Sequence, residues 1–466
     1  MFSRHFTAFS YINIAFFFKK QLFFKGKVAF NFSQEQFIEE HAGALQASIC
    51  AALDPSKLQK IARETGFLQR KSKLKPEEFI DTLLFGDLDH HQVSLQNCCD
   101  DLAQHYQKSL SKVAFHKRFN SRSIDFLKAV LAEQMSSKLA ITVENSSWQP
   151  FGKVIIADSC KFALPVKFEK EYPAHSGNHA KSLMNIQYSF DIKHGNWEVL
   201  EMAKATENDL AYSKRTLNQI CTGELYIRDL GYVSHAYLMK IAQEKAFFVN
   251  RLHPTWNPVV CDTGKAINWM SLYEKLHQTR SAHLEMMITI GTGQSAFNCR
   301  LIAATVPEEV WAERIRKAQI RAKSVGYQLT DEYKQRCRFS LYLTNTSEEV
   351  LKTADIVQLY RLRWQIELIF KTWKSILNIH KVKAVKKERF ECHLIAKFIW
   401  ILINWKAFRC ADAFIRQQSS DYACSMWKFF KQAKKYSDTL RTTINGKLPF
   451  KDWCKDFFFN IKSSIL

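Results

Sequence analysis

The stretch Val357–Lys374, VQLYRLRWQIELIFKTWK, decides how the rest of the chain is read. It contains no Gly or Pro and is rich in Leu, Ile, Glu, Lys and Arg, so it predicts one continuous helix that opens after Asp355, an acid suited to a first turn. On a wheel of roughly 100° per residue, Tyr360, Arg363, Glu367 and Lys374 fall within about 60° of one another. Leu362, Ile366, Ile369, Trp373 and Ile376 fall opposite and form a broad apolar face. One face is thus expected against a core. The other presents a phenol, a guanidinium, a carboxylate and an ammonium in a row. Taken alone, Arg363 and Glu367 at i, i+4 are an ordinary pair on a solvated helix, worth only a few tenths of a kcal/mol. The meaning of the stripe depends on what faces it.

The chain has 466 residues, beyond one ordinary core, which predicts two to four domains. Its net charge of +22 points to a polyanionic partner, nucleic acid before membrane surface. From Ser375 to the end, 18 Lys and Arg stand against 7 Asp and Glu, so half the surplus lies in the last fifth of the chain. The 12 Cys show no C-x-x-C pair, no zinc spacing and no disulfide framework, which fits a reduced cytoplasmic protein. The apolar run LIAKFIWILINW (394–405) is too short to span a bilayer and predicts a buried helix.

Residues 1–30 hold nine Phe, five Lys or Arg and no acid, and read as an atypical Phe-rich extension without a signal-peptide cleavage site. Residues 31–145 carry helical spacing throughout, with basic faces, and read as a helical N-terminal DNA-binding domain. Within it, residues 93–120 predict two short helices across a polar turn, the second bearing Lys112, His116, Lys117 and Arg118. The pair has the shape of a helix-turn-helix or of a plain helical hairpin.

The pattern changes near residue 146. KVIIAD (153–158) reads as a short strand ending in Asp158, and residues 185–206 as a hairpin turning at His194-Gly195-Asn196. ELYIRD (224–229) is a further strand ending in Asp229, and AFFVNRL (246–252) another, with helices between: a mixed α/β sheet spanning residues 146–380. Residues 253–345 read as a β-rich insertion. Residues 381–466 form a basic, helical C-terminal region, opened by the charge cluster KVKAVKKER (381–389).

Asp158 and Asp229 at strand ends, with Glu367 on a helix over that sheet, make three hard oxygen donors in a basic protein. Either Asp alone is more often a turn residue. Together they suit Mg²⁺, which takes carboxylates, waters and substrate phosphates. Two such ions about 3.5–4 Å apart can activate a nucleophile and stabilise a leaving oxygen. Arg363 would clamp a phosphate bidentately, Lys374 would act as a point charge on a neighbour, and Tyr360 would be an accessory contact.

The spacing Tyr-x2-Arg-x3-Glu-x6-Lys, filled by Tyr360, Arg363, Glu367 and Lys374, resembles the signature of DDE transposases from bacterial insertion sequences, the branch with the Tyr-Arg-Glu-Lys signature. ADSCKF resembles that family's first catalytic block, YIRDLGY its second, FFVNRL the strand after it, and LYLTNTSEEV the approach to the catalytic helix. The resemblance covers roughly residues 90–380. It implies a ribonuclease H-like core interrupted by a β-rich insertion, with Asp158, Asp229 and Glu367 binding two Mg²⁺, for which Mn²⁺ can substitute. It further implies nicking at the ends of the element and attack of the freed 3′-hydroxyl on target DNA, through a hairpin intermediate, in a homodimeric synaptic complex associated with the nucleoid. Tyr360, Arg363 and Lys374 would contact DNA phosphates. Some members hold a flipped base on a Trp of the insertion, and Trp256, Trp269 and Trp311 are the candidates here. One departure is Ser159-Cys160, where the family often has Ser-Thr: the carboxylate stays and a hydroxyl is lost. The alternatives are a metal-dependent nuclease without strand transfer and a non-enzymatic DNA-binding protein derived from a decayed transposase.

Overall fold

Helix-forming sequence with strong caps builds the first part of the chain. The computed structural model describes residues 34–86, 94–139, 146–175, 180–293, 296–418 and 423–465; the Phe-rich extension lies outside them. The first helices are α1 (Gln34–Cys50), α2 (Pro55–Glu64) and α3 (Pro76–Phe85), followed by α4 (Leu95–Tyr106), α5 (Lys112–His116) and α6 (Ser121–Ser136). Asp54, Ser94, Ser111 and Asn120 accept from the first-turn amides of α2, α4, α5 and α6, as the sequence pattern requires. The expected helix pair is α4 and α5. Its second member spans only five residues, short for a helix that reads a groove.

The middle of the chain is a mixed α/β unit, residues 142–371. Strands β1 (Val154–Leu164), β2 (Ser182–Asp191) and β3 (Asn196–Lys204) form an antiparallel meander, with Gly195 at φ +64° in the turn between β2 and β3. After α7 (Asp209–Arg215), β4 (Leu225–Arg228) pairs parallel to β1. Helix α8 (His235–Gln243) then crosses over to β5 (Phe247–Arg251), parallel to β4. Beyond it come β6 (Val259–Val260), α9 (Trp269–Thr279), β7 (His283–Ile290), β8 (Phe297–Thr305), α10 (Glu308–Val325), α11 (Asp331–Arg336) and β9 (Phe339–Thr344).

The strands of the insertion add to the same sheet, whose order is β3-β2-β1-β4-β5-β9-β8-β7-β6. β9 pairs antiparallel to β5 and so closes the insertion back on the parallel core. One apolar cluster runs beneath, joining Ile155, Tyr226 and Phe248 of the core to Leu301 and Leu343 of the added strands, with Trp269 of α9 buried among them. About 0.8 kcal/mol per buried methylene makes this shared core the main force holding insertion and sheet together.

Two sequence expectations are corrected. Asp158 does not end its strand. It sits in the middle of β1, because β2 keeps pairing with β1 as far as Leu164 after β4 has stopped at Arg228. The stretch 357–374 is not one helix either. α12 (Thr353–Leu362) and α13 (Gln365–Ser375) meet at Arg363-Trp364. There the amides of Arg363, Trp364, Ile366 and Glu367 all bond three residues back, at 3.1–3.2 Å, a tight turn that breaks the α-helical ladder.

The second unit comprises the described residues of 1–141 and 372–466, so the two helical ends of the chain pack as one body. Its axis is α14 (Lys387–Gln418), followed by α15 (Met426–Lys435), α16 (Ser437–Ile444) and α17 (Phe450–Ile465). α14 packs on α6, α1 and α3, and α17 on α1. The run 394–405 is the buried middle of α14, as its all-round hydrophobicity predicts. Its one buried ammonium, Lys406 just beyond, donates to the carbonyls of Ser48 and Gln134, and burial pushes its pKa down to about 7. No described helix is long and apolar enough to cross a membrane.

Arg441 of α16 ties the two ends together. It is buried, with Nε on Asp81 at 2.8 Å and both terminal nitrogens on Asp101 at 2.6 and 2.7 Å. Arg441→Met would strand two buried carboxylates and should cost about 3–5 kcal/mol. Urea unfolding followed by far-ultraviolet circular dichroism checks this, and a loss under about 1 kcal/mol would rank the triad with surface pairs.

Candidate active site

The strand register builds half the site. The parallel pairing of β1 with β4 ends at Ala157 opposite Arg228, which brings Asp158 level with Asp229 on the next step. Asp229 leaves β4 in extended conformation, φ −72° and ψ 160°. Glu367 comes from the first turn of α13, and the tight turn before it supplies Arg363.

Arg363 is the centre of the arrangement. Its Nη1 donates to Asp158 Oδ2 at 3.0 Å, and its Nη2 lies 3.4 Å from Glu367 Oε1 and 3.7 Å from Asp229 Oδ1. Three carboxylates more than 200 residues apart at the extremes therefore share one guanidinium, whose side chain is only 8% exposed. The Asp229 and Glu367 side chains are 46% and 44% exposed, so the cluster opens to solvent on that side.

The charges follow from this geometry. Burial pushes Asp158 up to about 6, while Arg363 and the Ser159 amide, which donates to Asp158 at 2.8 Å, pull it back down; Asp229 and Glu367 add to the rise. Burial also raises Glu367. For Arg363, burial opposes the charge, but Tyr360 and the three carboxylates outweigh it and its pKa rises. Burial pushes Tyr360 up to about 12.

The expected row of exposed groups is corrected in part. Glu367 is exposed, but Tyr360 and Arg363 are buried, because the break at Arg363-Trp364 turns both inward. The Tyr360 ring packs on Tyr342 of β9 at 5.3 Å between centroids, and its hydroxyl is buried. Lys374 is half-buried on the last turn of α13, on the same helical face as Glu367. Cys160 is buried two residues after Asp158 on β1.

Of the three tryptophans, Trp269 is in the core, Trp311 donates to the Lys334 carbonyl at 2.9 Å, and Trp256 packs on His235. The exposed tryptophan next to the cluster is Trp364, 48% exposed, with the Arg363 guanidinium 5.6 Å from its ring. The sequence contained that signal, since Trp364 follows Arg363 directly and falls about 40° from Tyr360 on the helical wheel.

Among the described residues no three His, Cys, Asp or Glu are already grouped to hold a metal ion. Asp158, Asp229 and Glu367 surround a cation of the protein instead. As donors they fit a hard divalent cation: they are all carboxylates, and three negative charges against one leave the cluster anionic.

The comparisons with known proteins agree in kind. The family profile for the transposase DDE domain matches residues 149–403. The chain belongs to the DDE transposases. It is 30% identical over 368 residues to the transposase for insertion sequence element IS231C of Bacillus thuringiensis subsp. berliner, covering 75% of this chain and 77% of that one. It is 27% identical over 382 residues to the transposase for IS231B of the same organism (78% and 80% covered). It is 28% identical over 376 residues to that for IS1151 of Clostridium perfringens (77% and 79% covered). As a DDE transposase of the bacterial insertion-sequence kind it is an enzyme of DNA cleavage and strand transfer, and the family generally uses divalent metal ions.

The Asp158 shift gives a pH dependence. Its folded value of about 6 exceeds the ordinary 3.8, so the folded chain binds more protons between the two. The stability this group contributes is full below the lower value and lost as pH rises through the upper. The unfolding midpoint of Asp158→Asn, relative to wild type, should therefore climb between about pH 4 and 6 and level off above. A difference flat with pH in urea titrations would refute the shift.

Proposed function

We propose that this transposase binds the terminal inverted repeats of its own insertion element, cuts there, and joins the freed 3′-hydroxyl ends to target DNA. The convergence of Asp158, Asp229 and Glu367 on one point supports this reading above all. The strand order β3-β2-β1-β4-β5, with the first three antiparallel and the rest parallel, suits a ribonuclease H-like core.

In this reading Asp158, Asp229 and Glu367 hold two Mg²⁺, with Mn²⁺ as a substitute. When bound, the ions would activate the attacking hydroxyl and stabilise the leaving oxygen. Arg363 has a double duty. Without metal it offsets part of the charge of the carboxylates. Its fork then suits a DNA phosphate, which it would hold bidentately once the carboxylates have other partners. Tyr360, wedged against Tyr342, limits where Arg363 can turn and contacts phosphate only if it moves with it. Lys374 supplies a point charge on a neighbouring phosphate. The exposed Asp229 and Glu367 leave a side by which DNA reaches the cluster. A hairpin on the element end and a homodimeric synaptic complex complete the proposal, with the basic helical unit reading the repeat.

Glu367→Gln nearly preserves volume and should leave DNA binding within about twofold while lowering Mg²⁺-dependent nicking and joining at least about a hundredfold. Labelled element ends incubated with target plasmid read both steps. Nicks without joined product in the wild type would identify a nuclease without strand transfer, and cleavage surviving in Glu367→Gln would remove Glu367 from the site. EDTA should stop cleavage and spare binding, since binding rests on the basic surface.

A further inference from the structure

A second cluster of charge lies in the α/β unit, and it is positive. A cavity of about 550 Å³ is lined by Arg251, Arg314, Lys317, Arg321 and Arg336, with Glu332 the one carboxylate among its lining residues. Arg336 is committed to structure: it donates to the carbonyls of His253, Pro254 and Trp256. Arg314 likewise holds the carbonyls of Cys337 and Phe339. Arg251 and Arg321 are different. Neither guanidinium has a hydrogen-bonded or ionic partner among the described residues. Arg251 and Arg314 are near enough for Arg251 to help depress the Arg314 pKa, after burial. Lys317 pairs with Glu313 at 3.4 Å, one turn back on its own helix. Four guanidinium groups and an ammonium around a cavity with one lining carboxylate are an arrangement that an entering anion would stabilise.

The register ties this cavity to the carboxylates. β4 and β5 pair Leu225 with Phe247 and Tyr226 with Phe248, where their pairing ends; counted forward from there, Asp229 and Arg251 come level on the two strands. Asn250 Nδ2, donating to the Arg228 carbonyl at 2.9 Å, holds that alignment. Asp158, Asp229 and Arg251 thus follow one another across three neighbouring strands. Arg251 also acts electrostatically on Tyr360, whose ring lies 5.9 Å from the Arg363 guanidinium. Away from the strands, Arg314, Lys317 and Arg321 lie on one face of α10, spaced i, i+3 and i+7. That face is about 10 Å long, several times the roughly 3.4 Å axial spacing of phosphates along a strand. Tyr333, also lining the cavity, is 40% exposed and offers a ring for a sugar or base.

We propose that this cavity is a DNA-backbone subsite. It would hold consecutive phosphates of the strand leaving the carboxylate cluster, with Arg251 as the bridge, Lys317 and Arg321 as the outer contacts and Tyr333 as a stacking face. The proposal rests on the reading of Asp158, Asp229 and Glu367 as the DNA-cutting cluster. It assigns the insertion a binding task that the catalytic acids do not perform.

The test uses full-length protein carrying Asp158→Ala, so that DNA is bound and not cut, and a random-sequence duplex as probe. Log affinity is measured against log salt concentration. Lys317→Ala with Arg321→Ala should lower the slope by about 2, while Lys323→Ala, an exposed lysine of α10 that does not line the cavity, should leave it unchanged. Arg321→Lys keeps the charge and should keep the slope. Bromodeoxyuridine in the duplex should crosslink to Tyr333 under ultraviolet light, and the double variant should lose that crosslink. Equal effects of the double variant and Lys323→Ala, a slope lost in Arg321→Lys, or crosslinks confined to other segments would overturn the subsite. Failure of the cutting reading shows separately, as absence of cleavage by the protein with Asp158 intact.

Discussion

Arg363 amid three carboxylates is the interaction on which the α/β unit depends. Asp158, Asp229 and Glu367 repel one another, and Asp158 is largely out of water. Left alone, such a cluster would take up protons or push apart. A single planar guanidinium reaches all three, because its donors fan out in a fixed fork. The backbone accommodates this with the tight turn between α12 and α13, which moves Arg363 from a solvated face into the protein. The same turn leaves Trp364 exposed beside it and sets Tyr360 against Tyr342 of β9. The helix pair α12 and α13 and the strand that closes the insertion are thereby linked through Tyr360.

The sheet makes that point reproducible. Register in a sheet is all-or-none: a slip of one residue would send Asp158 or Asp229 to the opposite face. Parallel pairing of β1 with β4 brings Asp158 level with Asp229, and β5, the next strand of the sheet, carries Arg251. Charge of both signs is thus laid along adjacent strands, acids on one part of the row and cations on the next. Such a row suits a ligand that is itself anionic and needs a cation at its reacting phosphate. In the helical unit a different balance holds. There Arg441 satisfies Asp81 and Asp101 deep in the interior, and the apolar length of α14 supplies the burial.

Much was legible in the chain. The strands at 154, 225 and 247 and the hairpin turning at Gly195 came from short strand-type runs and turn residues. The apolar positions Ile366, Ile369, Trp373 and Ile376 are buried as the helical wheel placed them. Asp158, Asp229, Arg363 and Glu367 were each named from local pattern, and the fold does bring these four together. What failed did so for local reasons. A stretch without Gly or Pro gives no warning of a turn that saves one residue per hydrogen bond, so the break at Arg363 was invisible and Tyr360 was placed in solvent. Nothing in KVIIAD announces that its strand runs on to Leu164, since that depends on pairing with β2, where Leu164 meets Ser182.

The sequence by itself determined the class of element at most positions, the family, and the candidate acids and cations, because these depend on short-range periodicity and on fixed spacings. Only the tertiary structure decided how those groups relate. The insertion joins the core sheet, the two chain ends make one helical unit, Arg363 stands among the acids, and Arg251 lines a cavity from the strand next to β4. Each of these is a contact between segments distant in the chain, set by hydrogen-bond register and by burial of apolar area, and neither quantity is carried by any local pattern of residues.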